Sequence, residues 1–277
     1  MSVNLLLCEG GDRSPDVRVL AKLLGGACTV KPMDGKYGMG NRILDRRKLL
    51  AAIGVFGLLD GDFLKDWQDP QGVPQVWAMD SDQIHLGWRW ERKEIENYLL
   101  DPVVVAGALG AQAPDRVKYG RALDSARDAI AIYQAARIAL SVSRIRFRVL
   151  PSSFGPAKGK DNHCFPDQLD EESCRKGIIQ IVSSHQTGQS VQEGDVLNAF
   201  QTYLPECQPG GSRYQHYLSG FSGKDLFFAM DEWFKDNGFA HANLFREKVL
   251  VGIESTTDDV ADWVPEWGAL RQTIGQT

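Results

Sequence analysis

Three carboxylates set the chemistry that this chain can perform. Glu9 directly follows the apolar run Val3-Asn4-Leu5-Leu6-Leu7-Cys8, and Asp60 directly follows Ile53-Gly54-Val55-Phe56-Gly57-Leu58-Leu59. Asp62 comes next but one, in Asp60-Gly61-Asp62-Phe63. A short apolar run bounded by turn residues reads as a buried parallel strand. In open α/β sheets, ligands gather outside the carboxyl ends of such strands. Two acids flanking a glycine can face one side of a tight turn. Carboxylates that converge there repel one another unless a cation stands between them, and hard oxygen donors suit Mg²⁺ or Mn²⁺. The residues thus predict a divalent-metal site on the C-terminal edge of a small parallel sheet. Taken singly, each motif favours a plainer reading, Glu9 as a helix-capping acid and Asp60-Gly61 as a plain turn. Their occurrence at two strand ends favours the metal.

Other candidates are less specific. Glu94 and Glu96, in Glu94-Ile95-Glu96-Asn97-Tyr98, stand at a strand-to-helix junction. Judged alone they suit the first turn of a helix, where the dipole favours negative charge. Lys36 lies in the glycine-rich stretch Asp34-Gly35-Lys36-Tyr37-Gly38-Met39-Gly40, and reads as a solvated loop lysine. Lys224, in Ser222-Gly223-Lys224-Asp225, precedes an amphipathic helical pattern and offers a place for a phosphate. Neither segment has P-loop spacing, so nucleoside triphosphate binding is not expected. His85, His163, His185, His216 and His241 form no HxH or HExxH pattern, which disfavours zinc hydrolysis. No GxSxG elbow is present. His163 and Cys164 are adjacent without an identifiable partner, and Trp67, Trp77, Trp88 and Trp90 suit core packing better than base stacking.

The elements that must position these groups alternate strand and helix signals over the first hundred residues. After Glu9, the turn Gly10 to Ser14 leads through Pro15 into a helix over Asp16 to Leu24, with Ser14 as N-cap. A strand at Cys28 to Lys31 and a basic helix over Arg42 to Ala52 precede the Ile53 to Leu59 strand. Two further strands are expected around Gln75 to Met79 and Ile84 to Trp90, with a helix starting within Glu91 to Leu100. This alternation implies βαβ units and a parallel sheet. Beyond Asp101 the patterns are helical: Val117 to Val149, Glu171 to Ser184, Val191 to Tyr203, Gly223 to Asn237 and Ala242 to Val251, with a loop over Pro151 to Gln168. The expectation is a Rossmannoid α/β core over 1–100, flanked by helices, and a mostly helical region over 101–277. Part of that region, about 211–240, is expected to pack back on the core.

Composition narrows the class. The chain has 277 residues, a formal net charge of −5 and five widely spaced cysteines without a CxxC pair. Neither a zinc knuckle nor a disulfide framework is indicated, and a reducing cytoplasm is the expected home. A passive, nonspecific nucleic-acid coat would be basic, whereas clustered acids are what a metal nuclease needs. No eighteen-residue apolar run and no basic leader occur, so neither a membrane span nor a secretory signal is expected.

The paired motifs Leu5-Leu6-Leu7-Cys8-Glu9-Gly10 and Leu58-Leu59-Asp60-Gly61-Asp62-Phe63 resemble those of the TOPRIM domain of topoisomerases, primases and OLD-type nucleases. The stretch Trp90 to Leu100 is similar to one in the OLD-type branch and in standalone TOPRIM proteins encoded beside an ABC-type ATPase in bacterial anti-phage systems. Gly223-Lys224-Asp225-Leu226 is similar, loosely, to the branch's lysine-bearing segment. The resemblance implies a metal site of Glu9, Asp60 and Asp62, with a further acid, Glu96 or Glu94, for a second ion, and Lys224 near the scissile phosphate. The usual acid soon after the first glutamate falls here within a longer turn, as Asp12 or Asp16.

The implied activity is Mg²⁺- or Mn²⁺-dependent phosphodiester hydrolysis, with one ion on Glu9 and Asp60 and a second on Asp62 and Glu96. Such an endonuclease would be the toxic effector of a defence system, acting on RNA, transfer RNA in particular, or on DNA. Its ATPase would be a separate polypeptide, and a homodimer is a further expected assembly. No tyrosine stands out as a topoisomerase nucleophile. A second reading is a sensor or interaction protein held inactive by its ATPase partner. A third is a receiver-like phosphoacceptor domain, which leaves the helical half unexplained.

Overall fold

The computed structural model describes residues 2–33, 35, 38–50, 54–79, 84–143, 171–188, 191 and 193–276. Lys36 and the expected loop over Pro151 to Gln168, with His163 and Cys164, lie outside the described residues. The chain forms two compact units, one of Met1–Ile138 with Tyr203–Thr277 and one of Ala139–Thr202. The unit that carries the sheet therefore extends well beyond residue 100 and takes in the C-terminal quarter of the chain.

That unit begins with β1 (Leu5–Glu9), α1 (Pro15–Leu24), β2 (Thr29–Met33), α2 (Met39–Leu50) and β3 (Val55–Leu59). It continues with β4 (Gln75–Met79), β5 (Ile84–Arg89), α3 (Ile95–Leu99), α4 (Pro102–Leu109) and most of the long α5 (Arg116–Val142), which the first unit contains as far as Ile138. The other unit contains α6 (Glu171–Gly188), where Glu172 and Lys176 pair one turn apart, and most of α7 (Glu193–Tyr203). The first unit resumes with α8 (Ser212–Gln215), α9 (Tyr217–Gly220), α10 (Gly223–Ala229), α11 (Asp231–Asp236), α12 (Ala242–Ser255) and α13 (Pro265–Gln276). The class is α/β: a mostly parallel five-stranded sheet flanked by helices, in the order β2-β1-β3-β5-β4.

β1 pairs in parallel with both β2 and β3, and β3 pairs in parallel with β5. β4 is the exception to the expected all-parallel sheet, being an antiparallel edge strand on β5. The reason is chain length: Met79 pairs with Ile84, and so short an interval joins only antiparallel neighbours, because a parallel crossover needs a dozen or more residues. Leu7, Val55, Leu59 and Leu86 meet Met39 and Ile43 of α2 in one buried cluster. Each such side chain contributes about 1.5–3 kcal/mol by burial. Strand alternation turns Leu6, Cys8 and Leu58 to the opposite face, where they too are buried.

The helices that carry the site start where local chemistry dictates. Ser14 caps α1 by accepting from the Val17 amide at 3.4 Å, Pro15 occupies the first turn and Gly25 ends it in the left-handed conformation. The valine run after Asp101 looks strand-like, yet α4 forms there because the Asp101 carboxylate accepts from the Val103 amide and Pro102 starts the helix. The pattern expected as one helix from Gly223 to Asn237 is two, divided at Met230. Trp88 and Trp90 are buried, as core packing requires. Cys8, Cys28, Cys174 and Cys207 are free thiols. Among the described residues no helix is long and apolar enough to cross a membrane.

Candidate functional site

The register that aligns β1 with β3 places Cys8 opposite Leu58. Glu9, one residue beyond Cys8, and Asp60, two beyond Leu58, therefore emerge side by side at the carboxyl edge. There the Asp60 amide donates to Glu9 Oε1 at 3.3 Å. The turn that follows is strapped to the segment after β5: the Gly61 amide donates to the Arg92 carbonyl at 3.1 Å, and the Asp62 amide to the Lys93 carbonyl at 3.0 Å. A side chain on Gly61 would bring its Cβ to 2.4 Å from the Arg92 oxygen, so only glycine permits this approach. Asp62 takes a left-handed conformation, φ 53°, that aspartate tolerates better than most residues. The DxD turn is thus tied to the backbone that leads into Glu94 and Glu96.

The acids sense one another. Asp60 Oδ1 is buried, and among the described residues no donor reaches it. Burial, then Asp16, Glu9, Glu94 and Asp62, push the Asp60 carboxyl well above the usual carboxylate range. Asp16, in the first turn of α1, is pushed up to about 7 by burial and by Glu96, against the restraint of its own amide hydrogen bond and of Lys224. The Cys8 thiol behind them is pushed up to about 12 by burial, then by Asp16, Asp60 and Glu9. Asp12, the alternative to Asp16, is exposed on the loop.

Glu94 and Glu96, two residues apart, have different surroundings. Both are buried. The Glu94 carboxylate is fully engaged: Oε1 accepts from Ser222 Oγ at 2.8 Å and from the Lys224 amide at 2.9 Å. Its Oε2 meets Lys224 Nζ at 3.0 Å and Lys93 Nζ at 3.1 Å. Burial works to raise Glu94, but Lys93 and Lys224 outweigh it and hold the carboxyl down at about 2. Glu96 is held more loosely, at 3.5 Å from Lys224 Nζ and 3.4 Å from Arg246 Nη1. For Lys224, the lowering effect of burial is outweighed by Glu94 and Glu96, so the ammonium binds its proton more tightly than usual.

The start of α10 is built around this exchange. Ser222 caps the helix by accepting from the Asp225 amide, and its own amide donates to Gln134 Oε1 at 3.0 Å. Asp225 in turn binds Gln134 Nε2 at 2.7 Å and Arg137 Nη1 at 2.6 Å. A Cβ on Gly223 would stand 2.5 Å from the Asn97 amide, so glycine lets α10 lie directly against α3.

The sequence-predicted residues Glu9, Asp60, Asp62, Glu94, Glu96 and Lys224 thus share one end of the sheet. Lys36 lies outside the described residues. Even so, among the described residues no three His, Cys, Asp or Glu side chains are disposed to cage an ion. The cations Lys93, Lys224 and Arg246 hold Glu94 and Glu96 toward α10 and α12 instead. Ser222, Lys93 and Arg246 escaped notice in the sequence. The Ser-Gly-Lys-Asp capping pattern marks Ser222 in retrospect, whereas nothing marks Arg246 inside its helix. No family model matches the chain, and none of the curated proteins is detectably similar to it.

Proposed function

We propose that the protein is a Mg²⁺- or Mn²⁺-dependent endonuclease with a TOPRIM-like site, hydrolysing phosphodiester bonds in nucleic acid. The observation that carries this reading is the buried, unpartnered Asp60 oxygen beside Glu9 at the carboxyl edge of two parallel strands. A carboxylate oxygen removed from water without a donor is costly, and a divalent cation is the partner that such a group accepts. The donor set is all oxygen, which fits Mg²⁺ or Mn²⁺. Glu9, Asp60 and Asp62 would hold one ion, with Glu96 and Asp62 serving a second. When bound, such ions supply Lewis-acid activation of water and neutralise charge at the phosphate.

The chain's own residues supply the rest. Lys224 stays protonated and offers positive charge to a phosphate once it turns from Glu96. Glu94 positions Lys224 through both its amide and its ammonium, and is therefore an anchor, leaving Glu96 as the acid for the second ion. Asp16 stands next to Glu9 and Glu96, and a cation bound there would favour its charged form.

Resemblance to standalone TOPRIM effectors, among them that of the PARIS anti-phage system, supports a role as a toxin governed by a separate ABC-type ATPase, with transfer RNA a natural target. One observation favours the companion reading of a protein held inactive until a partner releases it: Lys93, Lys224 and Arg246 engage Glu94 and Glu96. The test is direct. Purified protein with Mn²⁺ or Mg²⁺ is expected to cut RNA or DNA and to melt at higher temperature than in chelator. Glu9→Ala is expected to abolish both effects. Cleavage that survives Glu9→Ala sinks the mechanism.

A further inference from the structure

Next to the acids opens a cleft of about 520 Å³, a volume typical of sites that enclose a small ligand or a nucleotide (roughly 300–1,000 Å³). Glu96 and Lys224 belong both to its wall and to the acidic cluster, so whatever lies in the cleft lies against the candidate centre. Arg246 reaches into it from α12. Among the described residues its guanidinium meets only Glu96, at 3.4 Å, leaving most of its five donors for a ligand. Lys224 is well exposed on the same wall, its side chain 59% accessible. The wall thus carries two cations within reach of one space.

The remaining feature is aromatic. Phe227 is buried, 5% exposed, as a core residue of α10 should be, whereas the adjacent Phe228 lines the cleft at 83% exposure. Its ring is an open platform next to the cations, with His241 and Asn243 nearby to donate or accept hydrogen bonds. Positive charge for a phosphate together with a bare ring for a flat heterocycle is the combination that recognises nucleotides. A base within a duplex is stacked on both faces and has none to offer Phe228; only an unpaired base has a free face.

We infer that the cleft takes an unstacked nucleotide from a single-stranded or looped segment, with its base on Phe228 and its phosphate on Lys224 and Arg246. This rests on the nuclease reading above and makes it narrower: the substrate presents an unpaired strand to the acids. Continuous duplex is excluded from productive binding.

The test measures binding without catalysis. The full chain, in chelator, is titrated into a fluorescently labelled single-stranded oligonucleotide, ribo and deoxyribo in parallel, and into the same strand annealed to its complement. The single strand is expected to bind more tightly, with the two sugar types showing which nucleic acid is preferred. Phe228→Ala is expected to weaken single-strand binding by about 5- to 150-fold, the equivalent of ~1–3 kcal/mol for one stacked base. Duplex binding stays unchanged, and Phe228→Trp restores the affinity. Because Phe228 is exposed, neither substitution threatens folding. Single-strand affinity within about twofold of wild type for Phe228→Ala, or tighter binding of duplex, overturns the inference even if Glu9-dependent cleavage persists. Phe228-dependent binding without any Glu9-dependent cleavage upholds the cleft and overturns the nuclease.

Discussion

Glu94→Gln separates an anchoring carboxylate from a metal-binding one. In the folded protein Glu94 is buried and accepts from Ser222, the Lys224 amide, Lys224 Nζ and Lys93 Nζ. A carboxyl held at about 2 instead of its ordinary 4.5 contributes roughly 3 kcal/mol of stability. The sign follows from the lowered value. The contribution is whole above pH 4.5 and is lost as pH falls from 4.5 toward 2. Removing the charge also strands the buried Lys93 ammonium, and breaking a buried pair from one side costs about 3–5 kcal/mol. Both routes give a loss near 3 kcal/mol, which for a chain of this size lowers the melting temperature by about 6–12 °C. Thermal melts of Glu94→Gln and Glu96→Gln in chelator, at pH 7 and at steps down toward pH 2, read this out. Glu94→Gln is expected to melt far below wild type at pH 7 and to converge on it in acid, while Glu96→Gln shifts little. A Glu94→Gln protein that melts within about 2 °C of wild type yet has lost its response to Mn²⁺ refutes the anchoring role.

Asp60→Asn should raise the melting temperature of the metal-free protein. The charged Asp60 is disfavoured by burial and by its acidic neighbours, and the same variant should lose the stabilisation that Mn²⁺ gives wild type. Glu266 is buried, accepts from the Glu91 amide at 2.7 Å and from the Tyr98 hydroxyl, and is pushed up to about 7 by burial. Its ionisation therefore costs stability as pH rises from 4.5 through 7, and Glu266→Gln should flatten that decline in urea unfolding across pH 5–8. Arg213 is fully buried, donates to the Leu64 carbonyl and to Glu206 at 2.8 Å each, and faces Trp67. Arg213→Ala should lower the melting temperature and hasten amide exchange in the loop after Asp62, seen by mass spectrometry, because it removes a buried side chain that ties that loop through the Leu64 carbonyl.

Much of the sheet could be read from residue patterns, because its central strands are apolar runs that end at a charge. Leu5 to Cys8 and Val55 to Leu59 announce both the strand and the point where it stops. β4 was legible as a strand but not in direction, although the short interval between Met79 and Ile84 already held that information. The break at Met230 was hidden for a different reason. Leu226, Met230 and Phe234 are all buried one turn apart, so the periodicity reads as continuous, and the division is a change of backbone conformation at Met230, φ −91° and ψ 0°, that leaves the buried stripe unbroken. Glu94 and Glu96 were indistinguishable in sequence, since each is an acid in a helix start. What separates them is Ser222 and Lys224, more than a hundred residues away. α13 left no strong pattern, its few apolar positions being scattered among glycines and polar residues.

The bond between Ser222 and Glu94 spans 128 residues of chain. During synthesis, at about 5–20 residues per second, Glu94 emerges roughly 6–26 s before Ser222, and Glu9, Asp60 and Asp62 emerge earlier still. A ribosome-bound fragment thus carries Glu9, Asp60, Asp62 and Glu96 without Lys224, Phe228 or Arg246. The cleavage proposed above, which draws on all of these, is expected to be missing from any chain truncated before Ser222, a difference that the cleavage assay can read.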